Sequence, residues 1–132
     1  MSTVSIRWRG GALAFASAHG DVVRVAPRPL DASCWDPEEL LAAASAASFV
    51  LAVVDEAEQR DVPLLDAVAK AATRAGGVHI DASFETLPGF EPALRDLAQA
   101  HAKQPLGTPA DVRVRVHTAE ATATRRATAS LV

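Results

Sequence analysis

One thiol, four imidazoles, a mid-helix hydroxyl and a carboxylate at a helix start are the groups whose types and positions suit chemistry. Cys34 sits in a loop just ahead of a long helix, whose positive end would favour the thiolate. As the single cysteine it excludes an intrachain disulfide and any metal site built from several cysteines. A redox cycle on Cys34 would therefore need an external resolving thiol. Ser48 becomes a nucleophile only beside a base. Ala44 and Ala52 flank it one turn away, so His101 or His117 would have to converge on it from elsewhere. A hydroxyl capping a carbonyl one turn back in a crowded helix interface is the simpler reading. The histidines at 19, 79, 101 and 117 show no metal-ligand spacing, so no metal is assigned. His79 and His117 fall on solvent-side strand faces. His101 rides near the apolar stripe of a second helix, one turn before Gln104. No phosphate loop, dinucleotide fingerprint or hydrolase elbow is present, and no cofactor is implied.

The element that must position these groups runs from Asp36 to about Gln59. Asp36 caps the first turn, Pro37 suits the first helical position and Glu39 completes a capping box. Glu38 and Glu39 place negative charge at the positive end of the helix dipole. Between Glu39 and Asp55 about 15 residues carry no charge, against the roughly 20 needed to span a bilayer, which favours a buried core helix. Leu40, Leu41, Ala44, Ser48, Leu51 and Val54 recur at helical spacing, while Phe49, Val50 and Val53 make the reverse side apolar. A helix apolar all round needs neighbours all round, and a second subunit could supply them.

Around that helix, Val4, Ile6 and Trp8 alternate as a strand, and Leu13 and Phe15 continue the ribbon past Gly10-Gly11. A turn at His19-Gly20-Asp21 leads to a strand at Val22 to Val25. The prolines at 27 and 29 make residues 26 to 35 a loop. After the helix, residues 64 to 75 are helical by propensity. Val78, Ile80, Ala82 and Phe84 alternate as a strand, Leu87-Pro88-Gly89 is a turn, and Glu91 to about Lys103 forms a shorter amphipathic helix. Val112, Val114 and Val116 make the last strand, and the tail from about 119 to 132 is either disordered or an edge extension. The 132 residues thus form one α+β domain, 1–132. A net charge of -3 with no dominant basic run implies no nucleic-acid partner. The lack of a basic leader before an apolar segment makes cytoplasmic residence the default.

At Asp36-Pro37-Glu38-Glu39-Leu40-Leu41-Ala42-Ala43-Ala44 through Ala46-Ala47-Ser48-Phe49 the chain resembles the osmotically inducible protein C and organic hydroperoxide resistance (OsmC/Ohr) family. That family carries a proline–glutamate pair, a small-residue helix and a reactive cysteine followed by phenylalanine. The likeness extends from the N-terminal strands to the strand at 112 to 117. It implies an intertwined homodimer, with long central helices packed between sheets and sites at the subunit interface. It also implies that Ala67 to Arg74 is strand, and that implication takes precedence over weak helical propensity.

The resemblance brings a redox chemistry linked to oxidative stress, and in this chain that chemistry is broken. Family peroxidases reduce organic hydroperoxides with two cysteines, one attacking oxygen and the other resolving the sulfenic acid as a disulfide. Ser48 stands at the position of the first, and Gln104, followed by Pro105, at that of the second. Glu38 matches the family glutamate that pairs with an arginine, for which Arg24 and Arg28 are candidates. The resemblance thus points to a homodimer without peroxidase chemistry, and the length of the uncharged helix stretch points to no membrane association. Its interfacial pocket for a small apolar ligand would involve Ser48, Glu38, Gln104, His101, Arg24 and Arg28. The alternatives are a thiol-dependent hydroperoxide reductase using Cys34 or an external thiol, and a purely structural interaction domain.

Overall fold

A two-point hydrogen-bond lock starts the long helix. In the computed structural model the Asp36 backbone N–H donates to Glu39 Oε1 at 3.1 Å, and the Glu39 N–H donates to Asp36 Oδ1 at 2.7 Å. Two otherwise orphaned donors are thereby satisfied, and helix α1 (Pro37–Gln59) begins where the sequence pattern says it should. Its far end closes just as definitely. Val62 N–H reaches back to the Ala57 carbonyl at 2.9 Å and Asp61 N–H to that of Glu58 at 3.3 Å. Asp61 takes the left-handed conformation, φ 54°, that a helix stop of this kind requires and that aspartate tolerates.

The structure describes residues 4–8, 14–18, 21–25, 34–74, 76–104 and 110–119. The chain divides into two compact units, Met1–Leu41 and Ala42–Val132. In the first, β1 (Ser5–Trp8), β2 (Ala14–Ala18) and β3 (Asp21–Val25) form an antiparallel ribbon. The two-residue β4 (Cys34–Trp35) pairs parallel to β3. The glycine pair at 10–11, Leu13, the turn residues 19 and 20, Arg28 and the tail beyond 119 lie outside the described residues.

The second unit contains a three-stranded sheet, ordered β5-β6-β7. Strand β5 (Asp66–Arg74) runs antiparallel to β6 (Gly77–Thr86) through a turn in which Gly76 has φ 86°, a conformation glycine adopts without strain. Strand β7 (Ala110–Thr118) is parallel to β6, so the chain must cross over between them. Helix α2 (Glu91–Ala102) provides that crossover and buries Leu94, Leu97 and Ala98. The segment 66–74 is strand, as the family resemblance implies, although its alanines favour a helix. Nine consecutive register pairs with β6 outweigh that weak preference.

Within this unit α1 buries Phe49, Val53 and Ala57 among Val78, Ile80, Ala82 and Phe84 of β6 and the buried face of α2. Phe49 and Phe84 meet edge to face, centroids 6.0 Å apart and planes at 65°, a favoured aromatic geometry. The opposite side of α1 is uncovered: Ala44, Ala47 and Ser48 are exposed, and Leu51 is 63% exposed. By length and composition α1 could also cross a membrane. Because Phe49 is fully buried at the centre of this cluster, Phe49→Ala should lower unfolding stability by about 3–5 kcal/mol in urea denaturation. A loss below about 1 kcal/mol would mean that the aromatic pair does not anchor α1 on the sheet.

Candidate functional site

The residues proposed for the site divide between the two units. In the Met1–Leu41 unit, the parallel register of β3 and β4 places Arg24 opposite Cys34. Cys34 therefore belongs to a strand rather than the loop expected from the prolines at 27 and 29. Those prolines restrict the chain before it, while two extended residues at 34 and 35 are enough to add to β3. Arg24 and Glu38 are exposed, and neither is without a partner. Glu38 lies in the first turn of α1, where its charge complements the helix dipole.

In the Ala42–Val132 unit, Ser48 occupies the exposed side of α1, and Gln104 is exposed just past α2. His101 is in the last turn of α2 and turns towards α1. Its Nε2 lies 3.3 Å from Glu56 Oε2, and the same glutamate reaches Arg60 at 3.5 Å through its other oxygen. The distance alone would suit an ion pair, yet Nε2 is buried and makes no hydrogen bond. The contact is a close approach and not a bond, because a misdirected donor gains little at this range. His117 is paired with Ser83 and Glu85 instead. His117 is thus engaged with other residues, and His101 is packed beside Glu56 without a hydrogen bond from Nε2.

Glu56 is not apparent as a site residue from sequence, because it reads as an ordinary exposed acid near a helix end. The structural signal is its spacing of four from Arg60 together with its approach to α2. Two of the recesses on this unit are lined by described residues. One, of about 460 Å³, is lined by Val54, Glu58, Val62, Leu64, Leu65, Asp66 and Ala67, mostly apolar surface with two carboxylates. The other, of about 600 Å³, is polar and includes Arg74, His79, Asp111 and Arg113. In it His79 Nδ1 lies 3.0 Å from Asp111 Oδ2, and Nε2 lies 3.5 Å from Asp81 Oδ2. Among the described residues no group of three or more His, Cys, Asp or Glu side chains could hold a metal ion.

This arrangement of strands and helices is the fold of OsmC/Ohr proteins. The OsmC-like protein from Mycoplasma pneumoniae superposes with a TM-score of 0.73 at 12% identity, covering 88% of this chain and 96% of that one. The organic hydroperoxide resistance protein OhrB of Bacillus subtilis gives 0.59 at 15% identity, covering 89% and 98%. An OsmC-like protein of unknown function from Vibrio cholerae gives 0.63 at 13% identity, covering 89% and 99%. No protein-family model and no curated protein matches the sequence. At such identities the likeness establishes the fold.

The contact between His101 and Glu56 yields a direct test. A buried nitrogen without a hydrogen bond costs about 1–3 kcal/mol, so His101→Leu should leave unfolding stability unchanged or raise it slightly. A loss above about 2 kcal/mol in denaturant titration would show that the histidine contributes a net bond.

Proposed function

We propose that this chain is an OsmC-like homodimer that lacks the two-cysteine peroxidase cycle and retains a cleft between subunits for a small apolar molecule. The observation that carries the proposal is Ser48, a hydroxyl on the exposed side of α1 where the resemblance expects the attacking sulfur. A serine oxygen cannot be taken to a sulfenic acid and back, and Gln104 offers no resolving thiol. The uncovered stretch of α1 at Ala44, Ser48 and Leu51 supports a second copy as its neighbour. Gln104 and His101 of the same unit join Ser48 in the proposed set of ligand contacts. The protein works in the cytoplasm, needs no cofactor, and binds neither nucleic acid nor membrane.

A second reading has one observation of its own. The backbone register of β3 and β4 makes Arg24 and Cys34 strand partners, and Cys34 comes just before the positive end of α1, a position in the chain that favours a thiolate. Cys34 would then attack an organic hydroperoxide, releasing the alcohol and leaving a sulfenic acid for an external thiol to reduce.

Full-length protein and Cys34→Ala, each with cumene hydroperoxide and a dithiol, separate the two readings. The expected result is peroxide loss indistinguishable between them and no faster than dithiol alone. Rapid consumption that disappears with Cys34 would establish the second reading and remove the first.

A further inference from the structure

The outer face of the three-stranded sheet carries a hydroxyl, an imidazole and a carboxylate in sequence. Ser83 and Glu85 lie two residues apart on β6, on its non-core side, and the parallel register sets Arg115 beside Ser83 and His117 beside Glu85. The His117 ring bridges the two β6 residues. Its Nδ1 is 3.4 Å from Ser83 Oγ, and its Nε2 is 3.9 Å from Glu85 Oε2. A single tautomer serves both contacts. With the proton on Nε2, on the side of the carboxylate, Nδ1 presents its lone pair to the serine hydroxyl, while the 3.9 Å approach to Glu85 is a charge contact and not a hydrogen bond. Glu85 is an outlier for this face, with its side chain only 11% exposed. A shielded carboxylate interacts more strongly with an imidazolium than a solvated one. Distances somewhat beyond 3.2 Å are common in such constellations before substrate binds.

We propose that Ser83, His117 and Glu85 form a nucleophile–base–carboxylate relay that accepts a short acyl group from an activated ester. Ser83 Oγ attacks the ester carbonyl as its proton passes to His117 Nδ1. The Oγ–carbon bond forms, the ester carbon–oxygen bond breaks, and His117 returns the proton to the departing oxygen. Water then adds by the same route, releasing the carboxylic acid and restoring the serine hydroxyl. Glu85 is a positioning residue whose carboxylate, 3.9 Å from Nε2, orients the imidazole. Arg115, exposed and in register with Ser83, places a positive charge on the side where the carbonyl oxygen becomes negative. The face is open, so the fitting substrate is a small acyl group on a good leaving group. This activity is independent of Ser48 and of any chemistry at Cys34.

The test uses the full chain with Cys34→Ala, which removes acylation of the thiol. The protein is incubated with p-nitrophenyl acetate, quenched in acid, and its peptides are mapped by mass spectrometry. One acetyl group on Ser83 is expected, and nitrophenolate release should fall about a hundredfold in Ser83→Ala and His117→Gln. Glu85→Gln should slow acylation of Ser83 while Glu85→Asp restores part of the rate, a split that a merely structural role would not produce. Acetyl groups found only on lysines or the N-terminus, or labelling of Ser83 that survives His117→Gln, would overturn the proposal. The peptide map of the parent decides the matter even where a variant fails to fold.

Discussion

Burial of α1 governs how the rest of the molecule is arranged, and within the Ala42–Val132 unit it is complete on one side only. That side, built on Phe49 and Val53, is fully buried against β6 and α2. The other carries Ala44, Ala47, Ser48 and Leu51 with nothing from the same unit over them. Leaving apolar surface in water forgoes about 25 cal/mol per Å², and a continuous exposed stripe on a helix that is also a core element marks an interaction face. In the proposed dimer, the same 23 residues serve as the core of one subunit and as the contact surface for another.

In the proposed reading, that double duty lets the fold persist without the two-cysteine chemistry that the resemblance implies. In the proposed dimer the small residues around Ser48 allow close helix approach, whatever atom occupies position 48. Exchanging sulfur for oxygen there removes a redox step while changing little in shape. The imidazoles sit elsewhere: His101 is packed beside Glu56 between the two helices without a hydrogen bond from Nε2, and His117 contacts Ser83 and Glu85 on the outer sheet face. Polar groups in this chain are organised around the sheet and helix surfaces, and none of these imidazole contacts involves the Ser48 hydroxyl.

Local interactions are legible in the sequence because their partners are near one another in it. The capping box joins residues three apart, and the alternation of Val78, Ile80, Ala82 and Phe84 marks the buried face of β6 directly. The family resemblance, not propensity, anticipates the strand at 66–74. Its alanines are compatible with either state, and pairing with β6 decides between them. Non-local register is invisible. Nothing along the chain announces that β7 lies parallel to β6 with His117 beside Glu85, or that Cys34 pairs with Arg24 in a two-residue strand. The outward positions of Ser83, Glu85 and His117 can be read from alternation, but their meeting cannot.

Analytical ultracentrifugation of the parent and of Leu51→Lys tests the helix face most directly. The parent should sediment as a dimer at micromolar concentration, and the variant as a folded monomer with unchanged helical circular dichroism. A parent that remains monomeric across that range, or a dimer indifferent to a charge at position 51, would contradict the double role of α1.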